Sequence, residues 1–336
     1  MRAPRPVSPR ADRPSNTRLP SESILATESR GTAAPSTPVV DGLRTDVALT
    51  LSHLRGQRVL LWSNPGNAGD ALIRVATVHA LERAGVQAQR LGPGVDVRGR
   101  TVLIIGGGNL VPPYREADTA FLRFRRLGAE RIIVLPHTVR GNPACLEAAN
   151  SDDIVLCRDA PSEHHVHASG TKATAFLAHD MAFHLDADAF LGDPDLAALA
   201  SPALAATIER AGVGEVADRP VALLTRRDVE RGPDSPSSDA DISALVAFGG
   251  SPTASAVAAW CLLTFISRCA AIVTDRLHVA IGSALLGKPC TLLPNSYDKN
   301  AAVYKHSLSS FPHVGFAERW DGGVPRCDAS ADCGSG

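Results

Sequence analysis

The feature that most constrains this chain is a repeated alternation. Short apolar runs of four or five residues are followed by longer stretches whose apolar residues recur at helical spacing. Arg58–Trp62, Val102–Ile105, Arg131–Leu135, Ile154–Cys157 and Lys172–Phe176 read as strands. Val221–Leu224, Ala270–Val273 and Cys290–Leu293 continue the series. Helical stretches are expected over 45–54, 70–84, 117–127, 187–218 and 254–268, with another after Leu277. Strands that alternate with helices give parallel sheets with helices on their faces. The expected fold is α/β, as two Rossmann-like domains facing a cleft. The first would span residues 46–185 and the second 186–325. A disordered, Pro-, Ser- and Arg-rich tail would occupy 1–45, a flexible tail 326–336, and a polar loop 231–241.

At 336 residues and 44 % hydrophobic content the chain can fill two cores. A net charge of −1 excludes nucleic acid as the main partner. No run approaches the roughly 20 apolar residues of an integral membrane segment. The basic N-terminus lacks the apolar core of a secretory signal. The seven cysteines show no CxxC spacing and read as reduced thiols of a cytoplasmic protein. Cys327 and Cys333 are near enough in sequence to pair, though nothing requires it. His164, His165 and His167 read as an exposed polar face rather than a metal centre, since no Cys or suitably spaced Glu joins them.

Polar residues cluster where the runs end, and the carboxyl ends of parallel strands are where open α/β sheets hold ligands. The fullest cluster is Thr274-Asp275-Arg276-Leu277-His278, followed by Gly287-Lys288-Pro289 and Asn295-x-Tyr297-x-Lys299. A guanidinium and an imidazole two residues apart suit an anionic ligand and proton transfer. Asn64-Pro-Gly-Asn-Ala-Gly-Asp70 opens a helix after the first strand. Asp70 there is either a helix cap or a ligand to an acceptor hydroxyl or base. Gly106-Gly-Gly-Asn109, His137, Arg158-Asp159 and Asp180 end other strands. Arg158 is either an anion ligand or half of a structural ion pair. The dinucleotide fingerprint GxGxxG is missing, which argues against a nicotinamide-dependent dehydrogenase.

Taken in order, Gly66-Asn67-Ala68-Gly69-Asp70, Gly106-Gly-Gly-Asn109, Arg158-Asp159-x-x-Ser162, Asp180, Arg226-Arg227-Asp228, Thr274–His278 and the Asn295…Tyr304 segment resemble the polysaccharide pyruvyl transferase family. The resemblance implies a GT-B-like pair of domains. It also implies transfer of the pyruvyl group of phosphoenolpyruvate onto two hydroxyls of a sugar, giving a ketal and phosphate. On that basis Arg276, Arg158, Leu277 and Lys299 are expected to hold the donor, with Arg276 and Arg158 clamping it across the cleft. His278 is expected as acid and Asp70 as base. Asn67, Asn109, His137 and Asp180 are expected around the acceptor. Phosphoenolpyruvate is the co-substrate, and no metal or other cofactor is expected. A lipid-linked acceptor would bring a cytoplasmic enzyme to the inner face of the membrane. Two rival readings share the architecture: a nucleotide-sugar glycosyltransferase and a catalytically silent binding protein.

Overall fold

The structure is a computed structural model and describes residues 38–325. Helix α1 (Pro38–Ser52) leads into strand β1 (Arg58–Trp62) and helix α2 (Ala68–Ala84). Next come β2 (Gln87–Arg90), β3 (Thr101–Ile104), β4 (Gly107–Leu110) and α3 (Glu116–Arg126). The chain continues through β5 (Arg131–Val139), α4 (Pro143–Glu147), β6 (Ile154–Cys157), α5 (Ala160–Ala168) and β7 (Thr174–Leu177). A 3-10 turn over Met181–His184, α6 (Ala187–Leu191) and α7 (Pro194–Ala211) carry it to a second sheet. That part holds β8 (Ala222–Leu223), α8 (Ile242–Leu245), α9 (Pro252–Arg268), β9 (Ile272–Thr274), α10 (Leu277–Leu285), β10 (Cys290–Leu292), α11 (Lys299–His306) and β11 (Val314–Phe316).

Every strand pairing is parallel. The first sheet runs β2-β1-β3-β5-β6-β7, with β4 also on β5, and the second runs β11-β10-β9-β8. Strand order reverses beside β1, which is where an open sheet leaves a crevice at its carboxyl edge. Alternate residues of the first sheet fill opposite faces. Leu60, Val102, Ile104, Ile132 and Val134 join one apolar cluster, while Val59, Leu61, Leu103, Ile133 and Leu135 join another. That is the period-two consequence of the pleat, with helices covering both sides.

Helix α2 is buried nearly all round. Leu72, Val75 and Ala76 pack into the large cluster around α9 and α10, and Ile73, Ala80 and Leu81 pack under the first sheet. Arg74, on the same helix, donates to Ser255 Oγ of α9 at 2.9 Å and to the Asn64 carbonyl at 2.9 Å. A helix buried on opposite faces needs cover on both, so α2 bridges the cluster around the second sheet and the cluster under the first.

Several expectations shift. Helix α1 starts at Pro38, inside the segment read as tail; the rest of that tail and residues 326–336 lie outside the described residues. Strand β5 extends to Val139, and Gly107–Leu110, overlapping the Gly106–Asn109 stretch read as the end of a strand, forms a further strand alongside its second half. A Cβ on Gly106 would lie 2.5 Å from the Pro136 carbonyl, so glycine is what lets the backbones approach. The polar loop 231–241 is anchored: Ser235 and Asp241 both bond residues of the β9–α10 corner.

Candidate active site

The carboxyl ends of both sheets open onto one cavity of about 300 Å³. Asn67 and Asp70 reach it from the start of α2, Asn109 from β4 and Arg158 from the end of β6. Arg226 and Glu230 come from beyond β8, Arg276, Leu277 and His278 from the β9–α10 corner, and Lys299 from the start of α11.

Asn67 and Asp70 form a reciprocal cap. Asn67 Oδ1 accepts from Gly69 N at 2.8 Å and Asp70 Oδ2 accepts from Asn67 N at 2.9 Å. The cap uses one Asp70 oxygen and leaves Oδ1 without a protein hydrogen bond among the described residues. Both readings of Asp70 therefore coexist. Gly66 gives Asp70 room and Gly69 gives His278 room: a Cβ on Gly66 would fall 2.1 Å from Asp70 Oδ2, and one on Gly69 would fall 2.4 Å from His278 Nδ1.

The cations are buried and already paired. Arg276, 5 % exposed, donates through Nε at 2.9 Å and through Nη2 to Asp241, and Nη2 lies 2.9 Å from Asp228. Arg226 pairs with Asp228 and Glu230. Lys299 pairs with Glu230 and sits 5.1 Å from the Tyr297 ring centre. Arg158, 1 % exposed, donates through Nε to Thr138 Oγ1 at 2.9 Å and through Nη1 to Asp180 Oδ2 at 2.7 Å. A bare cationic clamp from Arg276 and Arg158 is thus not what the chain builds. Both guanidiniums are half of an ion pair, which burial requires. What remains open is Nη1 of Arg276 and Nη2 of Arg158, neither with a protein hydrogen bond among the described residues. Burial pushes the Lys299 ammonium down to about 8, with Glu230 opposing the shift.

Helix α10 adds to this side. Val279 and Ala280 donate to the Arg276 carbonyl at 3.0 and 3.2 Å, while the N–H groups of Leu277 and His278 meet no backbone carbonyl among the described residues. Such orphan donors at a helix start favour an anion. Leu277 is 4 % exposed, so its contribution on the cavity wall is chiefly backbone.

Two expected acceptor residues lie elsewhere. His137 and Asp180 are wholly buried and are not part of the cavity wall. His137 points along its own strand, its Nδ1 bonded to the Leu135 carbonyl at 2.9 Å. Without a partner for Nε2, burial pushes the ring down to about 4. The reason is geometric: β5 runs on past the point where it was expected to stop, so His137 sits within the sheet. Asp180 turns back under the cavity, where it meets Arg158, the Ala182 N–H and the His278 ring.

Arg226, Glu230, Tyr114, Glu116 and Ser243 also line the cavity and were not singled out from the sequence. Arg226 was within reach, as part of Arg226-Arg227-Asp228. Its neighbour Arg227 is exposed and bonds the Ser238 carbonyl at 3.1 Å instead. Asp275 is also accounted for. Its carboxylate accepts from Arg226 N and from Ser235 Oγ, each at 2.7 Å, so it stitches the β8 exit to the β9 exit.

In the remainder of the chain, the five cysteines among the described residues are buried free thiols. Cys327 and Cys333 lie outside the described residues. His165 bonds the Gly141 carbonyl at 2.9 Å. No helix among the described residues is long and apolar enough to cross a membrane.

Two parallel sheets with a polar, charge-lined cavity at their carboxyl edges define the class: an α/β protein built to hold a polar ligand outside its strand ends. Within that class, the chain belongs to the polysaccharide pyruvyl transferase family, whose profile matches residues 67–245 and 258–297, and it is accordingly a transferase. A crystal structure of a functionally uncharacterized protein from Klebsiella pneumoniae is similar to it, at 26 % identity and a TM-score of 0.65. The likeness covers 82 % of this chain and 98 % of that one. No curated protein matches the chain.

Proposed function

We propose that this transferase moves the pyruvyl group of phosphoenolpyruvate onto two hydroxyls of one sugar in a glycan or glycolipid, forming a cyclic ketal and releasing phosphate. The observation that carries the reading is the convergence on one small cavity of free donors and an imidazole. Arg158 Nη2, Arg276 Nη1 and the first N–H groups of α10 face a wall that also holds His278. A donor with a phosphate and a carboxylate needs that many donors, and pairing each guanidinium at its back orients its open edge.

The chemistry balances with side chains alone. His278 gives a proton to the donor's methylene carbon, making a methyl group and an oxocarbenium-like centre at C2. A sugar hydroxyl attacks C2 and its proton passes to Asp70. The bond from C2 to the phosphate oxygen breaks, and the second hydroxyl closes on C2 while its proton restores His278. The proton on Asp70 leaves with phosphate. General acid–base steps of this kind contribute about 10²- to 10⁴-fold each. The sum needs neither a redox cofactor nor a metal. Asn67 and Asn109 offer amides to the acceptor, and Lys299 adds charge at the donor phosphate. The two sheets on this reading correspond to the halves of a GT-B-like enzyme. The place of action is the cytoplasm, at the inner membrane face when the acceptor is lipid-linked.

The test is phosphate release from phosphoenolpyruvate with a panel of glycans, and mass spectrometry of the product for a pyruvate ketal. Thermal shift with phosphoenolpyruvate and with nucleotide sugars runs beside it. Stabilisation by a nucleotide sugar and not by phosphoenolpyruvate would replace this reading with glycosyl transfer. Stabilisation by neither, with no phosphate released, would leave a binding protein.

A further inference from the structure

Beneath the cavity lies a carboxylate that touches no ligand space. Asp180 is wholly buried, and its three neighbours account for both oxygens. Oδ1 accepts from Ala182 N at 2.9 Å, which fixes the plane of the group. Oδ2 accepts from Arg158 Nη1 at 2.7 Å and lies 3.6 Å from His278 Nε2. Burial alone would raise the Asp180 carboxyl, but His278, Arg158 and the Ala182 N–H together hold it below the usual carboxylate range. Asp180 is therefore an anion at working pH.

The two nitrogens of His278 differ sharply. Nε2 is sealed from solvent and has no hydrogen bond among the described residues, and it faces Asp180 Oδ2, the oxygen that also holds Arg158. Nδ1 is not sealed in this way. It lies over Gly69 at the start of α2, where any side chain would occupy its place. A buried carboxylate facing Nε2 keeps a proton on that atom, as an unpaired ring nitrogen opposite an anion would be repelled. The separation is a little beyond a hydrogen bond, as catalytic contacts often are before a ligand tightens them.

We infer that Asp180 is a positioning residue that keeps a proton on Nε2 of His278 in both the charged and the neutral ring, leaving Nδ1 as the atom whose proton goes to substrate and returns. Because Oδ2 also holds Arg158, the same carboxylate sets the open edge of the guanidinium and the face of the imidazole. Donor binding at Arg158 and proton transfer at His278 are then mechanically linked through one oxygen. The assignment of Nδ1 to proton transfer rests on the pyruvyl-transfer reading; the placement of the proton on Nε2 does not.

The experiment is nitrogen-15 NMR of the full chain labelled at histidine, with the His278 signals identified by their absence in His278→Gln. The expected result is an Nε2–H cross-peak protected from solvent exchange, lost or broadened in Asp180→Asn. In the phosphate-release assay the same substitution lowers kcat by about 10²-fold, the scale of a disabled acid–base group. It also raises the donor KM through Arg158. A neutral ring protonated on Nδ1 instead of Nε2, an unprotected Nε2–H, or a cross-peak unchanged in Asp180→Asn overturns the inference. If Asp180→Asn does not fold, the wild-type spectrum alone decides. Absence of phosphate release from the wild type would remove the pyruvyl-transfer reading and leave the NMR result standing.

Discussion

Single residues decide access to the cavity, and Gly108 is the clearest. It lies within β4 with ordinary backbone angles, so alanine meets no conformational barrier there. A Cβ at this position would stand 3.2 Å from Arg158 Nη2 and 3.9 Å from Lys299 Nζ. Gly108→Ala is expected to fold with an unchanged melting temperature and to raise the donor KM by about tenfold, corresponding to about 1.4 kcal/mol of lost transition-state binding. Kinetics beside a thermal melt check this, and an unaltered KM would mean the donor does not reach between these two cations. Arg276 shows how far a residue can be read from sequence. Its neighbours Asp275 and His278 announced a charged corner, but its partners lie far off in sequence, Asp228 in the Arg226-Arg227-Asp228 stretch and Asp241 at the end of the polar loop. Ion-pair partners are chosen by distance in space, and no local pattern encodes them.

At the scale of elements, the two helix starts carry the site. The α2 cap raises a question that substitution can separate. Asn67→Ala removes the side chain that caps Gly69 N and should cost about 1 kcal/mol of stability. Asp70→Asn keeps an oxygen for the Asn67 N–H and should cost less, yet it removes the proposed base and should cut turnover by about 10²-fold. Urea unfolding and phosphate release measured on both proteins would show it. Near-normal turnover in Asp70→Asn would reduce Asp70 to a cap. The strand spans were readable because buried parallel strands are continuous apolar runs; Arg58–Trp62 and Ile154–Cys157 were delimited to the residue. Strand β2, Gln87–Arg90, has exposed, polar residues and carried no such signal. It exists because β1 offers it an edge, with Arg58 to Leu61 aligned against Gln87 to Arg90.

Over the whole molecule, burial of titratable groups sets how stability follows pH. Burial pushes His137 down to about 4 and His184 down to about 3. Free histidine titrates near 6.5, so between there and the folded values the unfolded chain binds protons that the folded chain refuses. Stability then rises with pH across that window and is lost on acidification from about 6.5 downward. Each histidine contributes up to about 1.4 kcal/mol per pH unit. Asp180, whose carboxyl is held low, adds a further loss once pH falls below the ordinary carboxylate range. Urea unfolding should give a clearly smaller free energy at pH 5 than at pH 7. Equal values would mean that neither ring is held neutral. What the sequence by itself determined is what local backbone chemistry controls: the α/β alternation, the ligand edge at the strand ends, and the motifs that mark the family. Tertiary structure alone decided which charges meet. Lys299 and Glu230 are 69 residues apart and Arg276 and Asp241 are 35 apart. Asp180 faces inward, not toward the ligand, because it caps the 3-10 turn after β7 and pairs there with Arg158 from the end of β6. A buried charge must find its counterpart wherever packing places one, and that choice is made only when both sheets have closed on α2.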